Sequence, residues 1–211
     1  GTIAEHGAPV LAVAFSPDGR QLASTGRDGQ VLVWDSGTLA LSNRFVTESD
    51  GFSSVAFSSD GASLAAGALD NTVWIWDLTA PGAEPQQLRG HTNEVNTVLF
   101  PDSQDRLVSA SADRSVRIWD TGEVTTIPVV LSGHQASVNA LAYAQGALFS
   151  AGTDGTIRRW ALQPLDLAAN ACQIAGRNFY GDEWERYFPE EACRVTCPGL
   201  PDLCGRPSPK R

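Results

Sequence analysis

The sequence predicts an all-β fold: four copies of one strand-rich unit, followed by a short helical tail of different chemistry. Three observations carry this expectation. Trp34, Trp76, Trp119 and Trp160 recur 42, 43 and 41 residues apart, the first three followed by Asp35, Asp77 and Asp120 and the last by Ala161. A period of that size marks a supersecondary unit copied along the chain. Ahead of each tryptophan, short alternating apolar runs are joined by Asp-Gly and similar turns, as in hairpin-linked strands. Finally, 42% hydrophobic residues, 18% charged residues and 20 glycines make a globular mixture rich in tight turns.

The first unit reads in order. Val10 to Phe15 predicts a strand, Ser16-Pro17-Asp18-Gly19 a turn, Leu22 to Ser24 a second strand ending in small residues, Asp28-Gly29 a hairpin turn, and Val31 to Trp34 a third strand. The second unit repeats this with Val55 to Phe57 and Ser59-Asp60-Gly61. The third does so with Val95 to Phe100 and Pro101-Asp102, and the fourth with Val138 to Tyr143 and Gln145-Gly146.

With Gly90-His91 and Gly133-His134 opening two units and Trp-Asp closing three, the chain resembles the WD-repeat family from about Thr2 to Trp160. The resemblance implies a β-propeller of four WD-type, four-stranded blades over residues 1–163, ending near Trp34, Trp76, Trp119 and Trp160. Outer strands are expected at Leu39 to Val46, Pro85 to Leu88 and Ile127 to Leu131. After Trp160 the sequence turns polar at Gln163-Pro164, so the fourth blade needs an outer strand from elsewhere. Thr2 to Glu5 could supply it, or could be the last strand of a blade lost upstream. Blades bury their faces only against neighbours. Three arrangements would cover the ends: a four-blade ring, half of a dimeric eight-blade ring, or part of a larger propeller. The absence of methionine and the rarity of four-blade rings in the family favour a piece of a longer chain.

Three units hold a histidine, a serine and an aspartate in fixed relation: His6, Ser24, Asp28; His91, Ser109, Asp113; His134, Ser150, Asp154. These are the residue types of a hydrolase triad, but a working active site is single and asymmetric. The resemblance implies a structural role instead. Each set joins its tryptophan (Trp34, Trp119, Trp160) in a buried chain running from indole to serine to histidine to aspartate. The second unit departs from this, with Gly51 and Ala66 in place of histidine and serine, although Asp70 and Trp76 remain. That blade is expected to pack through apolar contacts helped by Trp74 and Ala65, and to be the softest of the four.

From Leu165 the apolar spacing becomes helical, through Ala168, Ala169, Cys172 and Ala175. A second short helix is expected around Trp184, Tyr187 and Phe188, with Asp182 and Glu183 at its start and Pro189 at its end. The tail, residues 164–211, resembles the C-terminal tail of large bacterial WD-repeat proteins, many of which carry a STAND-type nucleotide-hydrolysing module upstream. Tyr180 and Cys193 depart from that tail pattern, and no P-loop is present. All four cysteines, Cys172, Cys193, Cys197 and Cys204, lie here, allowing three disulfide pairings or a four-thiolate zinc site. Disulfides are favoured over metal, and the resemblance implies Cys172 with Cys197, leaving Cys193 with Cys204. Reduced thiols would imply the cytoplasm, disulfides an extracytoplasmic site. A hydrophobic clasp is the favoured role for the tail.

A formal charge of -9 argues against nucleic-acid binding, which runs on lysine and arginine. No apolar stretch approaches the roughly 20 residues of a membrane helix. No cofactor and no metal is expected. The leading expectation is a scaffold or sensor that binds other proteins, with a homodimer or missing upstream blades possible. Its partner face would lie beside the turn aspartates, at Arg27, Leu69, Ala112, Arg114, Thr153 and Arg158. The rival is a hydrolase using one of the Ser/His/Asp sets.

Overall fold

The computed structural model describes residues 1–80, 82–101, 106–122 and 128–161. The expected tail helices and all four cysteines lie outside these. The chain divides into two units, Gly1–Arg159 and Trp160–Arg211.

The described strands form four antiparallel sheets, one per tryptophan. Blade 1 comprises β1 (Val10–Phe15), β2 (Gln21–Gly26), β3 (Gln30–Asp35) and β4 (Leu41–Val46). Blade 2 comprises β5 (Phe52–Phe57), β6 (Ser63–Ala68), β7 (Val73–Asp77) and β8 (Gln86–Leu88). Blade 3 comprises β9 (Val95–Leu99), β10 (Arg106–Ser111), β11 (Ser115–Asp120) and β12 (Val129–Ser132). Blade 4 has three described strands: β13 (Val138–Ala144), β14 (Ala147–Gly152) and β15 (Ile157–Ala161). The outer strand of blade 1 begins at Leu41 rather than Leu39 because Leu39 closes a turn, with φ at 61° and its N–H donated to Asp35 O at 2.9 Å.

Thr2 to Glu5 form no strand and do not complete blade 4. They lie beside blade 1, where Glu5 pairs with Arg44 at 2.9 Å and Gly1 sits against Leu39.

Period-2 alternation gives each blade a leading and a trailing face. In blade 1 the trailing face carries Ala12, Ala14, Ala23, Val31 and Val33; it packs on Val55, Phe57, Leu64, Ala66 and Trp76 of blade 2. The opposite face of blade 2 carries Ala65, Val73, Ile75 and Leu88; it packs on Val95, Val98, Leu107 and Trp119 of blade 3. Small residues on one sheet thus receive large ones from the next. A register shift interrupts the pairing of each inner strand near its first residue, at Val10, Phe52, Val95 and Val138. Such a bulge turns one backbone carbonyl out of the ladder.

No helix among the described residues is long and apolar enough to cross a membrane.

Candidate functional site

The Asp-Gly and related turns between the second and third strands of each blade bring an aspartate under the loop that carries the histidine. In blade 3 the Trp119 indole N–H donates to Ser109 Oγ at 2.8 Å, Ser109 Oγ lies 2.7 Å from His91 Nε2, and His91 Nδ1 lies 2.8 Å from Asp113. Blade 1 repeats this through Trp34, Ser24, His6 and Asp28 at 2.9, 2.8 and 2.9 Å. In blade 4, His134 meets Ser150 at 2.7 Å and Asp154 at 2.9 Å, while Trp160 occupies the matching place on β15. Each aspartate also accepts the backbone N–H that follows its histidine, from Gly7, Thr92 and Gln135.

The proton order follows from the donors. A serine oxygen that accepts from an indole turns its own proton to Nε2, so the imidazole is neutral and donates Nδ1–H to the carboxylate. Electrostatics at blade 3 agree. Burial holds His91 below its usual value, Arg117 adds to this, and Asp113 opposes it without prevailing. Burial pushes the Asp113 carboxyl up, but hydrogen bonds from Ser115 and His91 outweigh it and hold the group at about 2. At Asp154 the N–H of Gln135 leads the contacts that lower the carboxyl, helped by Thr156 and His134.

This proton order is shared with hydrolase triads, but the serine is placed differently. Ser24, Ser109 and Ser150 are 6%, 0% and 1% exposed. In blades 1 and 3 the lone pair an attack would use already receives the indole N–H. A carbonyl carbon cannot approach such an oxygen.

Blade 2 replaces the polar chain with stacked rings. Trp76 lies 6.2 Å from Trp74, 5.8 Å edge-on to Phe52 and 5.4 Å from Phe45 of blade 1. Ala66 stands where the serine would be, and Ala65 faces the other way, into blade 3. Asp70 keeps its turn, accepting from Thr72 N at 3.1 Å. The Trp74 indole N–H is buried without a partner.

The residues before the turn aspartates share one backbone contact. Arg27, Leu69, Ala112 and Thr153 donate their N–H to Pro9, Gly51, Glu94 and Ser137 at 3.1, 2.9, 3.0 and 2.8 Å, tying each turn to the loop that enters the blade. Arg27, Thr153 and Arg114 are exposed, whereas Leu69 and Ala112 are half-buried. Arg114 holds the left-handed position of its turn, at φ 74°. Arg158 is placed differently. Its guanidinium lies across Gly133, where an added Cβ would fall 2.8 Å from Nη1, and its Nε is buried. Arg117 covers Gly90 in the same way, at 2.7 Å. Sequence reasoning missed Arg117, although it stands two residues before Trp119 as Arg158 does before Trp160.

The WD40 profile, "WD domain, G-beta repeat", matches residues 1–35, 41–77, 82–120 and 125–161, which is more than half of the chain. The chain belongs to the WD-repeat family. Domains of this family are generally protein-interaction scaffolds rather than enzymes. Among solved structures, that of U3-55K and the crystal structure of the RRP9 WD40 repeats are similar to this WD-repeat chain. Each shows a TM-score of 0.69 and 27% identity over 75% of this chain and 50% of its own. The chain thus spans about half the length of these solved structures. No curated protein matches the sequence.

Proposed function

We propose that this WD-repeat chain is a protein-interaction scaffold or sensor that meets its partner on the face formed by the turns after β2, β6, β10 and β14. The observation that carries the reading is the division of labour at those turns. The aspartates are committed inward, while Arg27, Arg114 and Thr153 on the same turns are exposed. The two exposed arginines, on a chain of net charge -9, favour a partner segment bearing carboxylates. The further reading, the C-terminal sensor of a larger bacterial signalling protein, rests on the resemblance of residues 164–211 alone. The hydrolase alternative draws no support from the three serines, which are buried and engaged.

A displayed random-peptide library selected on the immobilised chain tests the face. Enriched acidic peptides are expected to lose binding in the Arg27→Glu, Arg114→Glu double variant and keep it in Asp18→Lys on the opposite turns. Peptides indifferent to both arginines would sink the proposal.

A further inference from the structure

The outer strands of blades 1, 2 and 3 are finished differently. β8 has three residues and follows Pro85, and β12 has four and follows Pro128. Shortness and proline are two of the devices that keep a sheet edge from pairing with another chain. β4 has neither. It runs for six residues without proline or lysine, at the end of the sheet of blade 1. Its one charged side chain, Arg44, is turned back along its own blade, to Glu5 at 2.9 Å and to Gln30.

Register fixes which backbone groups of this strand point away from the sheet. Thr47 donates its N–H to Gly29 O at 3.2 Å, so the residues in step with it, Phe45 and Asn43, turn their N–H and C=O towards β3. Arg44 and Val46 turn theirs outwards, and Val46 is 69% exposed. Residues 43–46 line a groove of about 330 Å³, and its far wall is the end of β7 and the loop after it, with Trp76, Leu78, Ala80 and Pro85. Asp77 stands on that wall with its carboxylate exposed, Thr79 engaging only Oδ1. Glu84 is exposed on the same loop. With Arg44 paired to Glu5, the charge left beside the groove is negative.

We propose that the outer edge of β4 takes an extended segment of another protein as a fifth strand of blade 1, a segment with apolar residues at alternate positions and a basic residue for Asp77. Its backbone pairs with Arg44 and Val46, its apolar side chains lie on Leu78, Ala80 and Pro85, and its cation meets the Asp77 carboxylate. In strand addition of this kind the main-chain bonds supply affinity and the alternate side chains specificity. The surface differs from the turn face in position and in the sign of its charge, and it lies between blades 1 and 2, inside the array.

A displayed random-peptide library tests this on the full chain carrying Arg27→Glu and Arg114→Glu, which takes the turn face out of the selection. Enriched peptides should alternate apolar residues and carry a lysine or arginine. Val46→Pro removes an outward N–H and no bond to β3, a place on an edge strand where proline is tolerated. Far-ultraviolet circular dichroism should stay unchanged while the enriched peptides bind about 10-fold more weakly. N-methylation of the peptide probes the same bonds with the protein untouched: methyl groups on one set of alternate residues should abolish binding, and on the other set leave it intact. Peptides that ignore Val46→Pro, or that tolerate methylation in both registers, would overturn the proposal, as would a selection that enriches nothing. So would a wild-type chain whose mass by light scattering is doubled and falls back to that of one chain in Val46→Pro, since the edge would then pair with a second copy.

Discussion

Blades 2 and 3 are neighbours of the same topology, and they are held together by different chemistry. Blade 3 threads a hydrogen-bonded chain from Trp119 to Asp113, while blade 2 lacks the histidine and serine and fills the space with Trp74, Trp76 and Phe52. Both leave their central strands buried: Leu64, Ala65 and Ala66 in β6 and Leu107, Val108 and Ser109 in β10 are all fully shielded. A residue set that one blade can exchange for rings in an intact fold is acting as a brace, which is the strongest ground for reading the triad-like residues as structure.

The comparison can be broken first at its largest contact. Trp76→Ala removes the ring that joins blades 1 and 2 and should cost about 3–5 kcal/mol in urea unfolding, as for other buried aromatics. A loss under about 1 kcal/mol would mean that the aromatic stack is incidental. Next, Ser109→Ala strands the Trp119 indole N–H and the His91 ring nitrogen. Each stranded group costs about 1–3 kcal/mol, so denaturation should register a loss in that range or above it. Unchanged stability would show the polar chain to be idle.

The structure corrects the assignment of Gly51 to the histidine's place. Leu69 donates to Gly51 O as Arg27, Ala112 and Thr153 donate to Pro9, Glu94 and Ser137, each three residues after a histidine, so Glu48 holds that place. Gly51 sits at φ 137°, and an added Cβ would fall 2.8 Å from Arg27 Cα. Gly51→Ala should therefore destabilise the domain by about 1–3 kcal/mol of backbone strain, measured by thermal melting. A raised melting temperature would show that the backbone there tolerates a side chain.

Acid sharpens the contrast with the smallest effect. Unfolded histidine takes up its proton near pH 6.5, while buried His91 resists protonation, so its contribution fades as pH drops below about 6.5. Asp113, held at about 2, contributes fully above about pH 4 and loses its share between about 4 and 2, where the unfolded carboxyl is protonated first. In both windows the unfolded chain binds more protons, so stability rises with pH. Urea midpoints from pH 7 to 3 should fall, and His91→Gln should flatten the upper part of the decline. A wild-type midpoint independent of pH would contradict these assignments.

Much of this was legible in the sequence because tryptophan spacing, Asp-Gly turns and period-2 runs are local signals. They gave the strands of all four blades and grouped His, Ser, Asp and Trp into sets. What the sequence hid depends on which blade comes next. The reach of Ser53 to Val95 and of Asn96 to Val138 exists only once inner strands lie side by side with their bulges aligned. The arginines over Gly90 and Gly133 are visible only when the third strand is folded back against the histidine loop. Arg158 sits inside β15 with its guanidinium laid across Gly133, a placement that no local signal gives. The expectation that blade 2 is softest weighed the missing hydrogen bonds and not the burial supplied by two neighbours. Phe52, Leu64, Ala66 and Val73 are as fully shielded as Val95, Leu107, Val108 and Val116 of blade 3.

Hydrogen exchange resolved strand by strand decides between these views. If burial can replace the polar chain, the amides of β6 and β7 exchange no faster than those of β10 and β11. Should β6 and β7 open first while β10 and β11 stay protected, the histidine, serine and aspartate chain would be supplying rigidity that apolar packing cannot, and the equivalence of the two braces would be wrong.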